Sequence, residues 1–241
     1  MENELTPSQP DADISKTQPE TQAQTQTAAT TPIADKEALK QFYKQDLMGI
    51  VKKIFMEPFN GTYQLFVNRS EKSFFHAIVL IASAAILCMF LVFFTLPGEF
   101  REYAPWFSIM VRSAIAAVVL LLLISAFSFG IKMLSGKPSF RNELLTGGLC
   151  AIPLTALMLL IFISAKMIID EDVLSSIAFG GIQAVIQKAG FVLIIVFYIL
   201  LLFINIFQQS LRAAGTKDVL LWYLSPICIL LSFYITAKIM S

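Results

Sequence analysis

Val118-Val119-Leu120-Leu121-Leu122-Leu123-Ile124 is an unbroken apolar heptapeptide inside a charge-free run spanning residues 113–131. A helix at a protein surface keeps one polar face toward water, and a half-buried strand alternates apolar with polar; this run does neither. At 1.5 Å per residue, about 20 apolar residues cross the hydrocarbon of a bilayer. The run therefore reads as a membrane-spanning helix. Four more runs without Asp, Glu, Lys or Arg occur at residues 74–96, 144–165, 189–211 and 219–237. One charge at the centre of such a helix costs roughly 2.5–3.5 kcal/mol on insertion scales, so charge-free runs of this length mark spans. A transmembrane barrel needs strands that alternate over about ten residues, and none of these runs alternates. The expected fold class is all-α, a polytopic transmembrane helical bundle of about five spans over residues 74–241.

Composition agrees. Of 241 residues 56% are hydrophobic and only 15% charged, against about 25% charged in an ordinary soluble domain; mean hydropathy is +0.71. The net charge of +1 gives no field that would attract nucleic acid, and no nucleic-acid partner is expected. The bilayer itself is the expected partner.

Upstream of the spans the chain changes character twice. Residues 1–34 form a polar tail with the low-complexity stretch Thr17-Gln18-Pro19-Glu20-Thr21-Gln22. That stretch has no apolar residue large enough to anchor a core and offset its ordering entropy, and the tail is expected to be disordered. It also lacks the apolar core of a cleaved secretory signal, so the first span is expected to act as the membrane signal. Residues 35–73 form a cytosolic or interfacial amphipathic segment. In it Leu39, Phe42, Tyr43, Leu47, Ile50 and Ile54 recur at three- and four-residue steps, with lysines between them. Pro58 is expected to stop this helix. The apolar face either lies on the membrane surface or packs on the ends of the spans, and the two are compatible. Protein partners, if any, are expected to engage this segment. Residues 173–188, which hold Gly180-Gly181, read as an interfacial or re-entrant segment outside the five spans.

Lysines and arginines near span ends set the orientation. With the N-terminus inside, the inner side gathers Lys36, Lys40, Lys44, Lys52, Lys53, Arg69, Lys72, Lys132, Lys137, Arg141, Arg212 and Lys217. The outer side gathers Arg101, Arg112, Lys166, Lys188 and Lys238, together with the acidic Asp170-Glu171-Asp172. The expectation is N-inside and C-outside.

Candidate chemistry is sparse. No charge falls within the five runs, which argues against a proton-coupled pump. Asn205, Ser125 and Ser128 read as interhelical hydrogen-bonding groups, with a cavity lining as the other option for Asn205. Ala126 and Gly130 form a small-x-x-x-small pair suited to close helix approach. Pro153 and Pro226 are expected to kink their helices. His76 is read as an interfacial residue, and Cys88, Cys150 and Cys228 as small apolar side chains. No nucleophile–base pair, phosphate loop or metal-ligand spacing is present. No catalytic, cofactor-binding or metal-binding residue is therefore assigned, and no cofactor is expected.

The order of features resembles the Yip-one domain family of Ypt/Rab-interacting membrane proteins, in its bacterial form. The resemblance runs from about Phe42 to Lys238. It is carried by the amphipathic helix with Ile54-Phe55-Met56-Glu57-Pro58 and by Lys132-Met133-Leu134-Ser135-Gly136-Lys137-Pro138 before a span with an early proline, Pro153. Gln208-Gln209-Ser210-Leu211-Arg212-Ala213-Ala214-Gly215 before a final span containing Pro226 is similar to the family's last loop. The Asp-Leu-Tyr-Gly-Pro motif of eukaryotic members is missing, so the resemblance implies a bacterial inner membrane and no Rab-type partner. It implies a five-span protein with a cytosolic N-terminal region and no particular reaction. The functional expectation is a non-enzymatic scaffold or adaptor. The alternative is a channel or facilitator for a small, mostly neutral solute, which a polar cavity joining Asn205, the proline-containing spans and the Gly180-Gly181 segment would favour.

Overall fold

Pro58 sets the first boundary. A residue before proline is pushed out of the α region, and Glu57 indeed has φ −128° and ψ 58° where the preceding helix ends. The structure is a computed structural model that describes residues 36–68, 72–95, 105–169, 182–216 and 219–240. The polar tail, the acidic cluster at 170–172 and the Gly180-Gly181 pair lie outside the described residues.

Among the described residues the chain is all helical. The amphipathic segment is not one regular helix. It comprises α1 (Lys36–Gln41), a π-helical turn (Phe42–Asp46) and α2 (Leu47–Met56). The π turn carries an extra residue and so rotates α1 relative to α2. Phe42, Ile50 and Ile54 end up buried, whereas Leu39 and Tyr43, expected on the same face, are exposed. A further short helix, α3 (Asn60–Val67), comes after the proline turn. The bundle comprises α4 (Lys72–Thr95), α5 (Trp106–Ser135), α6 (Phe140–Ile169), α7 (Ile182–Ala213) and α8 (Val219–Met240).

Each of these five helices is long and apolar enough to cross a membrane. Much of their outward surface is apolar, with Ile86, Phe90, Leu122, Ile194 and Leu201 exposed. Water would not tolerate such a surface, but lipid does. The protein is an integral membrane protein. The helices run longer than the charge-free blocks, and two readings change as a result. Residues 182–188, expected in an interfacial segment, belong to α7 and are continuous with the fourth span. Lys132, expected in a loop, sits inside α5, and Glu143 lies in the first turn of α6.

One end of the bundle, the near end, collects the starts of α4, α6 and α8 and the ends of α5 and α7. Arg141 stacks over Phe74 at 4.8 Å, and the Gln208 amide reaches the Trp222 carbonyl at 3.5 Å. At the far end Phe93 of α4 meets Trp106 of α5 edge to face. α6 is the central helix, and adjacent glycines make that possible. A Cβ on Gly148 would fall 2.6 Å from Ala77 Cα of α4, and one on Gly147 would collide with Ser125 and the Leu121 carbonyl of α5. The expected small pair Ala126 and Gly130 does not pack in this way. Both residues are exposed, and no atom lies within 4 Å of a Cβ built at Gly130. Pro153 and Pro226 both lie inside their helices, which continue past them.

Candidate functional site

Two polar constellations lie at the near end, on either side of the first turns of α6. The first is a buried ion pair. Lys132, three residues before the end of α5, is 3% exposed, and Glu143 is 2% exposed. Their helix positions favour both charges, since a cation at a helix C-terminus and an anion at an N-terminus each align with the macrodipole. Lys132 Nζ donates to Glu143 Oε2 at 2.5 Å and to Ser210 Oγ at 2.7 Å. Ser128 Oγ donates to the same carboxylate oxygen at 2.8 Å, and Thr146 and Ser210 hydroxyls share a hydrogen bond of 2.7 Å. The cluster therefore ties α5, α6 and α7 together in a region shielded from solvent. A charge pair removed from water holds only when its remaining hydrogen-bonding capacity is met, and the three hydroxyls contribute to meeting it.

The pair corrects the expectation that no charge lies within the spanning helices. Both residues stand just outside the charge-free runs, and a run ends at the first charge whether or not the helix does. The signal that could have found them is helical spacing. Ser128 and Lys132 are i, i+4 on one helix, and Glu143 and Thr146 are i, i+3 on the next.

The second constellation is a cavity of about 320 Å³ between the N-terminal segment, α4 and α6. Its apolar floor includes Leu80, Leu145 and Leu149, and polar side chains surround it, among them Asp46, Lys53, Gln64 and His76. Leu145 and Leu149 alternate along α6 with Glu143 and Thr146, so one helix separates the cavity from the ion pair. His76 Nε2 lies 3.5 Å from Asp46 Oδ2, and its ring stacks on Phe42 with centroids 4.8 Å apart. His76 is thus a docking residue for the N-terminal segment.

Other contacts fix that segment along its length. Tyr43 and Ser83 hydroxyls are hydrogen-bonded. Asn205 Nδ2 of α7 donates to the Pro58 carbonyl at 2.5 Å, and Arg212 covers the Tyr63 ring at 4.7 Å. Asn205 does bond across elements, but to the backbone of the turn before α3. Gln209 Nε2 donates back to Asn205 Oδ1 at 3.2 Å. The buried oxygens Gln209 Oε1 and Thr62 Oγ1, from the packed helices α7 and α3, have no hydrogen-bond partner among the described residues. Ser125 bonds the Leu121 carbonyl of its own helix at 3.0 Å, whereas Ser128 bridges helices as expected. Cys88, Cys150 and Cys228 are buried and unpaired. Among the described residues no group of three or more His, Cys, Asp or Glu could hold a metal ion.

Comparison of the chain with protein-family models, with curated proteins and with solved structures returned no match.

Proposed function

We propose that this protein is a non-enzymatic membrane adaptor of the Yip type, seated in a bacterial inner membrane with its N-terminus in the cytosol and its C-terminus outside. One observation carries the reading. The N-terminal helical segment is fixed to α4 and α7 by Asp46–His76, Tyr43–Ser83 and Asn205–Pro58. It turns outward a face in which Met48, Met56 and Phe59 are 72%, 75% and 64% exposed, beside the exposed lysines Lys44 and Lys52. A rigidly held face that mixes flexible apolar side chains with charge suits protein recognition at the membrane surface. The orientation rests on the lysines and arginines gathered at the near end, where this segment docks.

The test is a photoreactive residue placed at Met48 in the full-length protein in cells. A discrete protein adduct is expected from that position, weakened by Met56→Glu and absent when the probe sits at the outward-facing Ile115. Adducts to lipid alone would overturn the adaptor reading.

The buried Lys132–Glu143 pair favours a second reading, a facilitator, because charges inside a helical bundle often mark a solute or ion path. Against it, Asn205 is engaged with Pro58, and the cavity beside α6 is lined by neither Asn205 nor the two prolines. Flux through proteoliposomes that is abolished by Glu143→Gln would replace the adaptor reading with this one.

A further inference from the structure

The cavity between the N-terminal segment, α4 and α6 has features of a ligand site that the adaptor reading does not use. Its volume of about 320 Å³ falls at the lower end of small-molecule sites, which run from about 300 to 1,000 Å³. Asp46, Gly49, Ile50 and Lys53 line it from the π turn into α2 at i, i+3, i+4 and i+7, so one helical face forms a wall. The acid stands at one end of that wall and the base at the other, about 10 Å apart along the axis. Lys53 forms no salt bridge among the described residues, and Gln64 of α3 and Asn68 at its end also line the cavity. Gly49, on the same wall, is exposed and carries no side chain. Glycine inside a helix is disfavoured relative to alanine, yet nothing lies within 4 Å of a Cβ built there. Packing does not require the glycine; its missing side chain leaves the cavity open.

A net-neutral pocket with separated charges and an apolar floor suits a zwitterion better than a simple ion. We infer that this cavity binds a primary-ammonium phosphate zwitterion of the phosphoethanolamine type. The ammonium is held by Asp46 beside His76. The phosphate is held by Lys53 with the Gln64 and Asn68 amides. A phospholipid headgroup and a free metabolite share this chemistry, and the bilayer is the nearer source.

The test uses the full-length protein in detergent and follows its melting temperature. The probes are dihexanoyl-phosphatidylethanolamine, its trimethylated choline analogue and O-phosphoethanolamine. Saturable stabilisation by at least one ethanolamine probe is expected, with the choline lipid at least tenfold weaker because its ammonium cannot donate to Asp46. Gly49→Phe, which fills the cavity, should abolish the response, and Lys53→Met, which removes the charge and keeps most of the stem that packs near Gly61, should weaken it about tenfold. If Gly49→Phe fails to fold, Lys53→Met decides. Response to the lipid alone assigns a bilayer ligand, and equal response to O-phosphoethanolamine assigns a soluble one; both support the inference. No saturable response to either ethanolamine probe, equal binding of the choline lipid, or binding indifferent to these substitutions overturns it. Loss of protein adducts at Met48 is a separate readout, so the adaptor reading can fail while this one stands.

Discussion

At the scale of single residues, the Lys132–Glu143 pair dominates. Breaking a buried pair by removing one partner leaves an uncompensated charge and costs roughly 3–5 kcal/mol, whereas replacing both by apolar residues is often neutral. Lys132→Met and Glu143→Leu are each expected to destabilise the detergent-solubilised protein by about that amount. The double variant should recover most of the loss. Thermal unfolding of the four proteins in a double-mutant cycle checks this, and additive losses would show that the two charges are not coupled. Asn205 acts on a smaller scale. Asn205→Ala strips the part-buried Pro58 carbonyl of this donor, a loss of about 1 kcal/mol. The effect should be local, appearing as faster amide exchange in Asn60–Val67 while exchange in α4 and α6 is unchanged.

At the scale of elements, glycine placement separates helix faces that sequence patterns cannot. Gly148 lies where α6 meets α4, and Gly130 lies on an outward face of α5. Gly148→Leu should prevent the bundle from closing and yield aggregated protein on size exclusion. Gly130→Leu should leave the fold intact and stabilise it by up to about 1 kcal/mol, because leucine is the better helix former and its side chain meets no neighbour there. Equal tolerance of the two would contradict the α4–α6 contact. The small-residue pattern in the sequence pointed to Ala126 and Gly130, because spacing along one helix says nothing about which face has a neighbour. The amphipathic segment shows the same limit. Its apolar periodicity was legible, but the π turn at Phe42–Asp46 moved Leu39 and Tyr43 off the buried face, and no composition signal marks a π turn.

At the scale of the whole molecule, the proposed topology runs five apolar helices of the described residues across the membrane and sets the two ends of the bundle on opposite sides. In a background lacking Cys88, Cys150 and Cys228, single cysteines at Lys137 and Pro105 report the two ends of the bundle. Pro105→Cys is expected to react with a membrane-impermeant reagent in intact cells, and Lys137→Cys only after permeabilisation. The opposite pattern would invert the topology and place the exposed face of the N-terminal segment outside. The sequence by itself determined the class of solvent, the number of apolar helices and the proline boundary at Pro58, because hydropathy and proline geometry act locally along the chain. Tertiary structure alone decided that α5 and α6 continue past their charge-free blocks and that Lys132 meets Glu143 and Ser210. It also decided that Asn205 answers a carbonyl 147 positions away, and that Gly49 faces open space. A buried charge, a close helix approach and a cavity are relations between segments distant along the chain, and their energies arise only when packing removes the solvent between them.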